Sequence, residues 1–216
     1  MSLSLERFVL GDFATNCYVI HDGKEAILVD PACPSEDLKK WIEERGLSVS
    51  FIVNTHGHID HIGGNAFFKE AFPKAVLAIH DGDLVYLTRP DLNLSLEISC
   101  PFISPFPELV FQGEDARFAF GNTEVEVFAS PGHTPGSICL FFPERMWLLS
   151  GDTLFSGSVG RTDLPGGSFR DLVVSLERIF ARFSDDVTVF PGHGPETTIG
   201  LEKKSNAYYL TYVAQK

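Results

Sequence analysis

Short apolar runs with strand character open the chain. Phe8–Leu10, Asn16–His21 and Ala26–Asp30 have strand length, and the Asp22-Gly23 pair between the last two predicts a hairpin. The period then changes. In "PSEDLKKWIEERG" Ser35 stands where an N-cap belongs, Leu38, Trp41 and Ile42 share one helical face, and Gly46 follows the end, so a helix is expected. "SFIVNT" reads as a buried strand, followed by a helix over 64–72, a strand over Val76–Ile79 and a short helix over 81–87. Residues 89–108 hold four prolines and no period, which predicts a long irregular loop of the kind that covers functional sites. Strand patterns return over Ala116–Phe120, Glu124–Ala129, Ser137–Phe142 and Met146–Ser150, with a Gly121-Asn122 turn after the first. A helix over 169–183, the strand "VTVF" and a last helix over 199–210 complete the pattern. No linker or low-complexity stretch interrupts it, so residues 1–216 are expected to form one domain. Strands, helices, more strands and further helices suggest an α+β arrangement, two packed sheets with helices outside.

Composition narrows the function classes. A chain of 216 residues, 44% of them apolar, buries one sizeable core. No apolar run approaches a membrane span, and "MSLSLERFVL" lacks the basic-then-apolar order of a leader. The four cysteines form no C-x-x-C pair, which argues against a disulfide scaffold or a cysteine zinc site and fits a cytoplasmic setting. Cys17 and Cys139 lie in apolar runs and read as small core residues. A net charge of −12 argues against non-specific binding to nucleic acid or anionic membrane. The expected partner is a small molecule, and the expected assembly a monomer or small homo-oligomer.

The chemistry is concentrated in "NTHGHIDHIGGN". His56, His58, Asp60 and His61 fall within six positions there, ahead of Gly63 and Gly64, which let a helix start close to the site. His56 and His58, two apart, project to one side of an extended segment. His133 in "ASPGHTPGS", Asp152 in "LLSGDTLF" and His193 in "VFPGHGPET" each follow a strand pattern and a glycine. The ends of successive strands can gather at one edge of a layered fold, which would bring all seven residues together. Five histidines and two aspartates exceed the needs of one tetrahedral ion and suit two ions with a shared carboxylate. The expected grouping is His56, His58 and His133 on one ion, Asp60, His61 and His193 on the other, with Asp152 between them. His21 and His80 have no such partners nearby and read as structural.

In this order, and with Asp30 upstream in "LVDPA", the segments "THGHIDH", "PGHTPGS", "SGDTLF" and "PGHG" resemble the metallo-β-lactamase superfamily over roughly residues 16–200. The resemblance implies an αββα four-layer sandwich with a dinuclear site at the rim of the two sheets. It also implies that Asp30 supports the ligand loop rather than binding metal. His58 stands where the di-iron flavoprotein oxygen reductases carry glutamate. Asp152 is a bridging aspartate that true β-lactamases lack. The chain is also too short and too acidic for the family's nucleases.

"GDTLFSGSVGRTDLPGGS" is similar to the glyoxalase II group (hydroxyacylglutathione hydrolases), especially its short forms. Arg161 falls near the lysine with which long forms hold a glutathione carboxylate. Asp163 replaces their tyrosine, and only 23 residues follow His193, too few for their C-terminal helical domain. The implied activity is hydrolysis of thioesters such as hydroxyacylglutathione by hydroxide held between two divalent metals, zinc with iron or manganese as alternatives. Asp60 would orient the hydroxide and take its proton, and Arg161 would contact substrate. Two such ions also offset Asp60 and Asp152, so an anionic substrate is compatible with the acidic surface. The competing readings are a mononuclear-iron persulfide dioxygenase and a lactonase. Phe102 and Phe106 are candidates for a pocket roof, and more simply for loop packing; Tyr208 and Tyr209 carry the same ambiguity.

Overall fold

In the computed structural model, which describes residues 3–215, the first strands are β1 (Ser4–Leu10), β2 (Thr15–His21) and β3 (Glu25–Val29). After them come α1 (Glu36–Glu44), β4 (Ser48–Val53), α2 (Ile59–Ile62), α3 (Asn65–Ala71) and β5 (Val76–His80). A 3-10 helix occupies Asp81–Thr88, and the 89–108 stretch leads to β6 (Leu109–Phe111). The second half holds β7 (Asp115–Phe120), β8 (Thr123–Ala129), β9 (Ile138–Phe142), β10 (Trp147–Gly151), and the small hairpin β11 (Leu154–Phe155) and β12 (Ser158–Val159). Then follow α4 (Phe169–Arg182), β13 (Thr188–Pro191), β14 (Thr197–Thr198), α5 (Ile199–Ser205) and a π-helical turn at Tyr209–Val213.

The strands form two six-stranded sheets, ordered β1-β2-β3-β4-β5-β6 and β14-β13-β10-β9-β8-β7. The period of two decides what each face touches. Tyr18, Ile20, Ile27 and Val29 point inward and meet Val127, Ile138, Leu140 and Phe142 of the other sheet. Their neighbours Cys17, Val19 and Leu28 point outward against Leu38 and Ile42 of α1 and Phe68 of α3. On the far side, Cys139, Leu148 and Val189 pack on Leu172, Leu176 and Ile179 of α4. The result is the expected α+β sandwich, helix–sheet–sheet–helix. Ser35 and Ser168 cap α1 and α4, each accepting a backbone N–H from three residues on.

Several elements differ from the sequence expectation. The helix expected over 64–72 spans Asn65–Ala71, because Gly64 is held by the Pro31–Cys33 backbone; a Cβ there would strike Pro31 O and Cys33 O. The last helix breaks after Ser205, where Asn206 turns its side chain back onto Glu202 and caps the next turn through Tyr208 N. Residues 89–108 are an ordered turn-rich segment, fixed by buried Asn93, which donates to Tyr86 O and Phe102 O. Phe102 packs beside Ile62, Ile79 and Leu87, whereas Phe106 is 71% exposed. Tyr209 stacks on Phe180, and Tyr208 lies beside Tyr212 on the surface. Among the described residues no helix is long and apolar enough to cross a membrane.

The α4 interface gives a direct stability test. Leu176→Ala removes a buried side chain between helix and sheet and should cost about 2–5 kcal/mol in denaturant unfolding. Val174→Ala, on the exposed face of the same helix, should stay within about 0.5 kcal/mol.

Candidate metal centre

The chemistry lies where strands end. Asp30 follows β3, the His56–His61 segment leaves β4, His133 follows β8, Asp152 follows β10 and His193 follows β13. Strands β8 and β10 both run opposite to β9, and β13 runs with β10, so their C-terminal ends share one rim. The parallel pair β3 and β4 brings the other segment to that rim.

All seven side chains named from the sequence meet there. His56, His58 and His133 form one group, Asp60, His61 and His193 another, and His56, His61 and Asp152 a third that links them; donor atoms within each group lie within 4.8 Å. His58 Nδ1 is 3.1 Å from His56 Nε2 and 2.9 Å from His133 Nε2. Asp60 Oδ2 is 3.2 Å from His193 Nε2 and 3.5 Å from His61 Nε2. Asp152 reaches both sides, with Oδ1 3.5 Å from His61 Nε2 and Oδ2 3.6 Å from His133 Nε2.

The outer nitrogens explain the orientation of the rings. His133 Nδ1 donates to Arg161 O at 2.7 Å, and His193 Nδ1 donates to Phe13 O at 3.1 Å. His61 Nδ1 lies 2.9 Å from Asp30 Oδ2. Thr55 Oγ1 donates to Asp30 Oδ2 at 2.7 Å, so its oxygen is left to accept from His56 Nδ1 at 3.3 Å. A neutral imidazole has one hydrogen, and His56, His133 and His193 spend it outward, leaving their Nε2 lone pairs on the centre. Both ring nitrogens of His61, Nε2 of His58 and Oδ1 of Asp152 are buried with no hydrogen-bond partner. Lone pairs and carboxylates facing one another fit bound cations. Asp30, which adopts a left-handed φ of 52°, also accepts Thr55 N at 2.7 Å and thereby sets the whole 54–61 segment.

The electrostatics divide the site. Burial pulls His56 well below the ordinary histidine value, with repulsion from His61 and His133 adding to it. Burial and then His133 bring His58 down to about 3. Burial works against a charged His61 as well, but Asp60, Asp30 and Asp152 outweigh it and push that ring up to about 10. Asp60 is held well below the usual carboxylate range, burial being overcome by His61 and His193.

Asp83 had no sequence signal beyond a short helical pattern, yet it joins the two ligand-bearing loops. Its buried carboxylate accepts Gly57 N at 2.8 Å, Thr134 Oγ1 at 2.7 Å and Gly136 N at 2.7 Å. Burial raises its pKa despite these bonds. The backbone of Asn93 likewise accepts Ile59 N at 2.8 Å. Gly192 is required for space, because a Cβ there would overlap Asp152 Oδ1 and approach His61. His80 stays outside the centre, with Nε2 2.9 Å from Gly113 O, and His21 packs edge-on to Trp41.

A cavity of about 660 Å³ opens onto the centre, with Phe13, Ile59, Leu94, Ile98 and Phe155 among its apolar walls. Arg161 lines it too, but its guanidinium is paired bidentately with Asp163 at 2.7 Å, and the side chain is 62% exposed.

An αββα sandwich with a histidine–aspartate cluster at its rim defines a metallo-hydrolase class. The chain belongs to the metallo-β-lactamase superfamily, whose sequence model matches residues 10–193. It is 32% identical to the hydroxyacylglutathione hydrolase GloC of Haemophilus influenzae, over 95% of this chain and 98% of that one. Among solved structures, it is similar to the BLEG-1 B3 metallo-β-lactamase, with 34% identity, a TM-score of 0.89, and 95% and 99% of the two chains covered. It is also similar to TTHA1623 in a di-iron-bound form, with 35% identity, a TM-score of 0.83, and 94% and 99% covered.

The brace at Asp83 is testable through stability. Asp83→Asn leaves Gly57, Thr134 and Gly136 with too few acceptors and should cost about 1–3 kcal/mol. Thermal unfolding should fall accordingly, while Asp91→Asn on the surface should leave it unchanged.

Proposed function

We propose that this metallo-hydrolase cleaves thioesters, with hydroxyacyl thiol conjugates as the reference type. The observation that carries the reading is two three-donor groups meeting at Asp152 beneath a largely apolar cavity. His56, His58 and His133 would hold one divalent ion, Asp60, His61 and His193 the second, and Asp152 would touch both. Bound there, such ions supply a nucleophile from water at neutral pH and polarise a carbonyl oxygen. Zinc and iron both suit this donor set, and a similar protein of known structure carries two irons.

The remaining work falls to the chain. Thr15 Oγ1 donates to Asp60 Oδ2 at 3.3 Å, which orients the carboxylate. Asp60 would position the attacking water and accept its proton. A thiolate leaving group, with an ordinary thiol pKa of about 8.5, needs little protonation. Phe13, Ile98 and Phe155 would hold the acyl and thiol portions and keep bulk water off the carbonyl. The name of the GloC relative supports thioester hydrolysis, and the four free cysteines support the cytoplasmic setting expected from the sequence. The mononuclear-iron alternative would leave the second donor group unused, so two ions bound per chain would count against it.

β-Lactam hydrolysis is a second reading, favoured by the similarity to BLEG-1. A chromogenic cephalosporin assayed beside a thioester separates them, since thioester turnover should dominate.

Asp152→Ala tests the main reading. Metal content should fall below two ions per chain, and thioester hydrolysis should drop by at least about a hundredfold. Retention of two ions would remove Asp152 as the shared ligand. In Asp60→Asn the rate constant should fall more than apparent affinity; weaker binding at an unchanged rate would count against its proton-accepting role.

A further inference from the structure

The metal centre stands at the junction of two cavities. Beside the cavity of about 660 Å³ lies a second of about 490 Å³, between the Gly11–Thr15 turn, the Ala32–Pro34 segment and the Ile98–Phe102 strap. The two meet along Phe13, Ile59, Asp60 and Ile98, so the proposed proton acceptor lies on their common border. A scissile bond placed at Asp60 therefore has room for one substituent on each side.

The character of the two spaces differs. The smaller is walled by Leu10, Cys33, Pro34, Cys100 and Phe102, and its charged side chains are Asp12 and Asp60, both acidic. It offers no cation to an anionic arm and much surface to a hydrocarbon chain. The larger has one formal cation, Arg161, set against Glu97 as well as Asp60 and Asp152. That guanidinium is already engaged by both oxygens of Asp163. Glutathione brings two carboxylates and an ammonium, and away from the metal centre the described side chains of this cavity offer a carboxylate only Arg161, already paired with Asp163. Glu97, exposed at the rim, repels a further carboxylate there.

We infer that the substrate is a thioester with an apolar acyl chain and a neutral thiol carrier, the acyl chain lying in the smaller cavity and the carrier in the larger. The inference rests on the thioester reading above and specifies it. It also assigns Ile98 and Cys100 to acyl-chain selection, and it explains why Phe13 and Ile98 stay half-exposed at the entrance: they form the ridge over which the two arms divide.

Two measurements on the metal-loaded full-length protein test this. The first is kcat/KM for N-acetylcysteamine thioesters from acetyl to hexanoyl, set against the glutathione thioesters of the same acids. The second is calorimetric binding of the matching non-hydrolysable thioethers, which does not depend on turnover. Binding and kcat/KM should both rise about three- to fourfold per methylene, as expected for burial of hydrocarbon. The neutral carrier should exceed glutathione at least tenfold for each acyl group. Ile98→Asp and Cys100→Asp, both at exposed positions, should flatten the dependence on chain length. A flat series in the unaltered protein, or a preference for the glutathione conjugates, would overturn the inference. If the thioethers bind with the expected slope but no thioester is cleaved, the apolar two-armed site stands and the thioesterase reading falls.

Discussion

Five imidazoles and two carboxylates turned toward one small volume cannot satisfy one another. Three rings direct their single hydrogen outward, to Arg161 O, Phe13 O and Thr55 Oγ1, so lone pairs are what remain at the centre. Such an arrangement is unfavourable without positive charge, and the surrounding structure exists to hold it regardless. His61 pushed up to about 10 and His58 brought down to about 3 are two expressions of the same crowding, one side carboxylate-rich and the other imidazole-rich.

Holding that centre falls to residues that do not face it. Asp30 accepts twice from Thr55 in a left-handed conformation and lies 2.9 Å from His61 Nδ1, and these contacts offset the strain. Asp83 performs the equivalent task between the loop of His56 and His58 and the loop of His133. Asn16 ties the rims of the two sheets together, donating to Pro191 O and Gly194 O at 2.9 Å on either side of His193. Loop positions are thus fixed by buried polar bonds, and the apolar layers between and outside the sheets only bring the loops within reach.

The histidine clusters were legible because each lay next to a glycine and a strand pattern, and those strands all end at one rim. The four layers were legible from alternation, as Cys17 and Cys139 illustrate: both sit in strands with one face toward a helix. Asp83 was not legible, since an aspartate in a short helical turn is ordinarily solvated and only the meeting of two distant loops buries it. Strand β6 escaped notice because three residues after a proline-rich stretch carry no period of their own; pairing with β5 makes them a strand. The role of Arg161 depended on its partner, and the two-residue spacing to Asp163 fitted pairing as well as substrate contact. The second cavity is assembled from the turn after β1, the segment after β3 and the strap after the 3-10 helix, so no local pattern announces it.

The central claim is that the rim holds two ions sharing Asp152. Crystals grown with zinc and measured at the zinc absorption edge test it directly. The account predicts two anomalous peaks about 3.5–4 Å apart, one against His56, His58 and His133 and the other against Asp60, His61 and His193, with Asp152 between them. A single peak at saturating zinc, with the second group of donors unengaged, would contradict it.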